Sequence, residues 1–177
     1  MMHKTPLDNI RIRKESGITR RDVILDIPLA QTDDGDIGIT FRAFNDGGWS
    51  FRCEYHGTGD GLMMDLFWRL AEQAGIQERT AEFVRGLPRR VGRDVVFHGN
   101  RITANGFTAG ELVGLSCKVL LPCFSHVYEE FRRHGDGLPC DELRNTILEE
   151  HGGWENLPKA RLGDWTKDAY ENSKEGR

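Results

Sequence analysis

The sequence predicts an α+β fold, an antiparallel sheet (a three-stranded meander plus a hairpin) packed against a bundle of helices around a central kinked apolar helix. Three observations carry that expectation. Residues 37–44 and 49–56 alternate apolar and polar side chains, as strands with one dry and one wet face do. Leu62, Met63, Leu66, Phe67, Leu70 and Ala74 recur at helical spacing. Residues 107–134 hold a dense apolar stretch interrupted by Pro122. Strands, then helices, a hairpin and further helices suit a sheet covered on one side. A doubly wound nucleotide fold is excluded, because its strands are buried on both faces and are not joined as hairpins.

The 177 residues, 29% charged and 38% hydrophobic, suit one globular domain. We place it at residues 22–170, between a basic amino-terminal arm, 1–21, and a polar tail, 171–177. No apolar run reaches the ~20 residues of a membrane span, and Met1–Lys14 lacks the apolar segment of a secretory signal, so the expected location is the cytoplasm. A net charge of -4 leaves no electrostatic footprint for general nucleic-acid binding. Cys53, Cys117, Cys123 and Cys140 lack the dense spacing of a disulfide framework and are expected as reduced thiols.

In chain order, Arg11, Arg13, Lys14, Arg20 and Arg21 mark a mobile arm or an edge segment. Val23, Leu25 and Ile27 share one side of a first strand, and Pro28 points to a sheet edge or strand end. Such an edge offers a route to a homodimer. Asp33, Asp34 and Asp36 are expected in a solvated loop. For the next two strands parity selects the register: a three-residue loop, Asn45 to Gly47, with Gly47 left-handed, pairs Ala43 with Trp49, Phe41 with Phe51, Ile39 with Cys53 and Ile37 with Tyr55. A helix over 62–74 follows, with Asp60 as its N-cap and Gly75 just past its end. A shorter helix spans about 77–85.

Val95, Phe97, Ile102 and Ala104 then form a hairpin turning at Gly99-Asn100. Thr108 and Glu111 have the spacing of a capping box. They open a helix so uniformly apolar that burial on all sides is expected, with a kink between Lys118 and Pro122. Pro139 starts another helix ending at Gly152. Trp154, Leu157, Leu162, Trp165 and Tyr170 belong to a last helix packed on the body.

Chemistry-bearing residues are sparse. Tyr55-His56-Gly57-Thr58-Gly59-Asp60-Gly61 ends a strand before a helix, where glycines let backbone amides approach a ligand. Tyr55-His56-Gly57-Thr58 resembles the strand motif of the NAD-dependent ADP-ribosyltransferases of the diphtheria-toxin and poly-ADP-ribose polymerase type. The resemblance implies NAD as cofactor, His56 on the adenine-side ribose, the Gly57 backbone on the nicotinamide amide and Thr58 in support. It covers four residues; where that family carries a later tyrosine and a distal glutamate, Tyr128, Glu129 and Glu130 lie on a predicted helix. Asn105-Gly106-Phe107, leading into the capped helix, is similar to a strand-to-helix passage in plasmid antirestriction proteins.

Cys53-x-x-His56 and Cys123-x-x-His126 have the form of zinc ligand pairs. Strand geometry sends residues three apart to opposite faces, so no metal site is expected. The leading expectation is a small interaction module that acts by covering a protein partner, as accessory or inhibitory proteins of phages and plasmids do. Its contact residues would be Arg42, Phe44, Arg52 and Glu54 on the polar sheet face, with Phe44 as anchor. The alternative is an NAD-using enzyme centred on His56 and Thr58.

Overall fold

A computed structural model of the chain describes residues 11–13, 23–45, 48–57, 61–98, 101–134, 137–159 and 163–164. The strands are β1 (Arg11–Arg13), β2 (Val23–Thr32), β3 (Gly35–Asn45), β4 (Trp49–Gly57), β5 (Asp94–Phe97), β6 (Arg101–Phe107) and β7 (Gly163–Asp164). They form one seven-stranded antiparallel sheet in the order β1-β2-β3-β4-β6-β5-β7. The helices are α1 (Gly61–Gln73), α2 (Ile76–Arg85), α3 (Ala109–Leu115), α4 (Leu121–Arg132) and α5 (Cys140–His151). They share one core with Ile37, Ile39, Phe51, Cys53, Ile102 and Ala104 from one sheet face. The fold is therefore α+β, with the hairpin joined to the meander in a single sheet. No described helix is long and apolar enough to cross a membrane.

The meander register differs from the sequence expectation by two residues. Phe41 pairs with Cys53, Ala43 with Phe51 and Asn45 with Trp49, so the loop is 46–48. Gly47 lies outside the described residues. A shift of two preserves which side chains face the core. It also makes Phe41 and Phe51 diagonal neighbours, still stacked with centroids 5.4 Å apart. The ladder gains a last pair, Ile37 with Gly57.

Two further corrections concern the first strand. It runs through Pro28 to Thr32, and it is not the sheet's edge, because residues of the amino-terminal segment form β1 beside Ile24–Asp26. Pro28, which has no N–H for a ladder, lies next to an irregularity in the pairing of β2 with β3. A one-residue bulge at Leu29 follows, between the pairs Pro28–Gly38 and Ala30–Ile37. Asp33 and Asp34 are an exposed two-residue hairpin turn, whereas Asp36, expected in the same solvated loop, lies in β3. The turn is clasped to the helices: Asp33 N–H donates to Leu138 O at 2.9 Å, and Asp34 Oδ1 accepts from Cys140 N–H at 2.8 Å. Asp34 thus caps α5 from a distant strand turn, where Pro139 supplies no side-chain cap.

The second bulge is at Asn105-Gly106 in β6, between the pairs Trp49–Phe107 and Phe51–Ala104. Gly106 has φ 76°, and a Cβ there would lie 2.7 Å from Gly92 O and 2.9 Å from Arg93 Cα. Only glycine combines that conformation with so close an approach. The bulge delivers Phe107, buried, to the start of the core helix.

That helix begins as expected. Thr108 Oγ1 accepts from Glu111 N–H at 3.1 Å and Thr108 N–H donates to Glu111 Oε1 at 2.9 Å. The kink is a π-helical turn over Ser116–Leu120, in which Leu121 N–H donates to Ser116 O. Pro122 then sits in the first turn of α4. The wider turn displaces the carbonyl that the proline ring would otherwise press against, a clash worth about 3 kcal/mol in a regular helix. The expected all-round burial is not found: Val113 is 61% exposed and Cys117 is exposed, while Leu112, Leu115, Val119 and Leu120 are buried. The expected last helix is also absent where it is described: Trp154–Asn156 is a 3-10 turn, and Gly163–Asp164 pairs with β5.

Glu111 has a second role that its capping motif does not announce. The Arg93 side chain is wholly buried, with its guanidinium 5.1 Å from the Phe107 ring centroid, and it donates to Pro88 O and to Glu111 Oε1. Arg90 lies 3.7 Å from the same oxygen. Partial burial opposes ionisation of Glu111, but the Thr108 N–H, the Arg93 hydrogen bond and the two guanidinium charges together outweigh it and hold the carboxyl below its usual range. A carboxylate whose pKa is depressed on folding contributes fully above its unfolded value, about 4.3, and loses that contribution as the pH falls through the depressed value. Glu111→Gln should therefore lower the melting temperature at pH 7 by roughly 4–8 °C, for about 2 kcal/mol from a half-buried pair. The gap from the wild type should narrow between pH 5 and pH 3, followed by calorimetry. A gap unchanged across that range would show that the carboxylate charge is not what ties α3 to the sheet.

Candidate functional site

Cross-strand register sets out the sheet face turned away from the core in rows. Ile24, Arg42, Arg52 and Thr103 form one row, and Asp26, Thr40, Glu54 and Arg101 the next. Phe44 pairs with Ser50 on one side of these rows, and Pro28, Gly38 and His56 form the row on the other side. All four predicted partner-binding residues stand on this face. Arg52 is exposed; Arg42, Phe44 and Glu54 are half-buried. Ser50, on the polar side of the alternation, is only 7% exposed, and Ile24 is 3% exposed although it lies outside the helix-side core.

Two details distinguish the centre of the face. The Arg42 guanidinium lies 6.0 Å from the Phe44 ring centroid. Arg42 also stands directly opposite Arg52. Like charges facing each other across an antiparallel pair destabilise it by roughly 0.2–1 kcal/mol.

His56 stands on the same face, at the end nearer the Asp33-Asp34 turn, and there it borders a cavity of about 410 Å³. Asp26, Gln31, Asp36 and Thr40 line the cavity with it. Gly38 stands opposite His56, and a Cβ at that position would come within 3.2 Å of the imidazole and 2.8 Å of Ile27 O. Thr40 Oγ1 donates to Asp26 Oδ1 at 3.1 Å, which orients that carboxylate. Sequence reasoning found His56 but missed Asp26 and Gly38 as its neighbours. The expected register would have placed Asp36 opposite His56; the observed one places Gly38 there.

The residues implied by the transferase resemblance are only partly gathered. His56 and Gly57 end β4, and Thr58 lies outside the described residues. Tyr55 points to the other face, its ring 5.3 Å from Phe67, and no tyrosine or glutamate is among the described residues lining the cavity.

The two Cys/His pairs do not converge on a metal. Cys53 is buried in the core while His56 is on the outer face. Cys123 Sγ lies 3.7 Å from Ala74 O, whereas His126 Nε2 bonds Gln73 Oε1 at 3.1 Å. Among the described residues no group of three or more His, Cys, Asp or Glu could hold a metal ion. Burial, with Glu54 adjacent, pushes the Cys53 thiol far up. Burial also pushes Cys123 to about 11, with Arg79 lowering and Glu72 raising it. Both stay protonated at neutral pH and are not nucleophiles.

A second polar cluster joins the helices. His126 bonds Gln73, whose Nε2 lies 3.5 Å from His151 Nδ1, and His151 Nε2 lies 3.1 Å from Oε2 of Glu130. Arg133 pairs with the same oxygen at 2.8 Å, and His134 reaches Glu150 at 3.2 Å. Glu130 is buried, and these contacts compensate its charge. The chain of bonds ties α1, α4 and α5 together and presents no activated nucleophile.

Comparison of the chain with family models, curated proteins and solved structures finds no match. The arrangement of Arg42 and Arg52 can be probed directly. Arg52→Thr should raise the melting temperature by roughly 1–3 °C at low salt, and the gain should shrink at 1 M salt, where the screening length is about 3 Å. A variant no more stable than the wild type at low salt would remove the claim that this juxtaposition costs stability.

Proposed function

We propose that the protein acts by binding a protein partner through the sheet face that carries Arg42, Phe44, Arg52 and Glu54. The observation that supports this reading is the arginine pair. Arg42 and Arg52 face each other on adjacent strands beside an aromatic ring, in a chain whose net charge is -4. Two arginines set opposite each other on adjacent strands suit an acidic strip on a partner, whose carboxylates would accept from both guanidinium groups on docking. Glu54 and Asp26 in the adjoining row disfavour a polyphosphate chain and suit a protein surface that offers both signs of charge. Phe44 supplies the apolar contact at the centre of such an interface.

The test is recovery of partners from a cell lysate on immobilised wild type and on the combined Arg42→Ala, Phe44→Ala, Arg52→Ala variant, with folding checked by circular dichroism. A partner held by the wild type and lost from the folded variant supports the face, the more so if added salt weakens capture. Undiminished recovery on the variant, or capture of nucleic acid alone, counts against it.

The enzyme reading centred on His56 keeps one supporting observation, the cavity that His56 borders. For that reading NAD must bind there. Titration calorimetry should show heat that His56→Ala abolishes, and no heat with the wild type removes the reading.

A further inference from the structure

Gln73, the last residue of α1, stands between two histidines from different helices, and its bonds to them constrain one another. His126 Nε2 on α4 lies 3.1 Å from Gln73 Oε1, and Gln73 Nε2 lies 3.5 Å from His151 Nδ1 on α5. An amide oxygen only accepts and an amide nitrogen only donates. His126 therefore carries a proton on Nε2, and His151 Nδ1 is bare. On its far side His151 Nε2 lies 3.1 Å from Glu130 Oε2, which also accepts from Arg133 at 2.8 Å. A carboxylate only accepts, so the proton of the neutral His151 ring sits on Nε2. Among the described residues the Gln73 side chain bonds these two rings and no other group. The charged groups packed around the pair are Glu130, Arg133 and His134 on α4, Glu150 on α5, and Asp65 with Arg69 on α1. At the His126 end, Glu72 of α1 and Arg79 of α2 adjoin Cys123, one turn earlier on α4.

A proton added to His151 goes to Nδ1, directly against the amide hydrogens of Gln73. The bond survives only if the amide turns over and presents Oε1 to His151. Its nitrogen then meets His126 Nε2, which has to be bare, so His126 is neutral with its proton on Nδ1. When both rings are protonated, neither orientation of the amide bonds both. We propose that Gln73 couples His126 and His151 into a proton-sensitive latch. With one proton added to the pair, α1 stays bonded to both α4 and α5; a second proton releases it from one of them. Imidazole is the side chain whose ordinary titration falls between about pH 5 and pH 8, which sets the range in which the latch is read. The latch lies on the helix side of the sheet and does not rest on the partner-binding reading.

The test is an NMR pH titration of the full chain from about pH 8 to pH 5, following the ring nitrogens of His126, His151 and His134. In the wild type each ring of the pair should report the titration of the other as a second step, and the Gln73 side-chain amide should move with both. Gln73→Met, at an exposed position, removes the amide and leaves plain charge repulsion between the rings. In that variant the second proton should bind about fivefold more tightly than in the wild type, as expected when no hydrogen bond has to break. Gln73→Glu, whose carboxylate accepts from both rings, should take both protons more readily still. His134 bonds Glu150 outside this chain, so its curve should be the same in all three proteins. Independent single-step curves in the wild type would overturn the latch. So would a second step unchanged in Gln73→Met, no easier protonation in Gln73→Glu, or a His134 curve displaced with the others, which would mark a general disturbance.

Discussion

Phe67 is the point through which the sheet and the helices hold each other. Its ring is fully buried, 5.3 Å from Tyr55 on β4, 6.0 Å from Phe124 on α4 and 4.7 Å edge-on from Trp68 beside it in α1. One side chain thus contacts the central strand of the seven-stranded sheet and the distal half of the core helix. Aromatic pairs at such separations contribute about 0.5–1.5 kcal/mol each beyond the area they bury. More important is the geometry they impose. With Tyr55 drawn to the helix side, alternation along β4 sends Glu54 and His56 to the opposite face, and the outer face inherits its residues from that choice.

Polar contacts then fix how the layers sit at their margins. At one margin the Asp33-Asp34 turn is clasped by Leu138 and Cys140, and at the other Arg93 joins Glu111 above Phe107. Both ties join a strand end to a helix start, where unpaired N–H groups or a capping carboxylate are available. The register shifts at Leu29 and Gly106 lie in the strands that lead to or from these ties. The same Leu29 bulge adjoins the His56 cavity, so a feature that serves packing also shapes the surface.

The outer face is electrically divided as a result. Arg42 and Arg52 meet in one row, whereas Asp26 and Asp36 gather around the cavity nearer the hairpin turn. A surface of two signs favours a partner in one orientation and rejects the reversed one, because swapping the ends would set like charges together. On the helix side, Glu130 of α4 meets Arg133 and His151 in a cluster that joins α4 to α5.

Much of the fold was legible in the residues. Period-two alternation gave the meander its two faces, and Thr108 with Glu111 marked the start of the core helix. Pro122 marked its irregularity, and Gly75 and Gly152 marked helix ends where left-handed backbone favours glycine. These signals are local, and each is decided by a few neighbouring residues. The cavity was not legible, because it depends on which residue stands opposite His56. Parity allows registers two residues apart to present the same faces. Only the packed sheet, with Phe51 stacked diagonally on Phe41 and the hairpin turn held by α5, selects Gly38 over Asp36. Along the meander strands the sequence by itself determined which side chains face the core and which face away. Tertiary structure decided which of the outward ones meet, since contacts between strands are set by long-range packing that no short stretch of chain encodes.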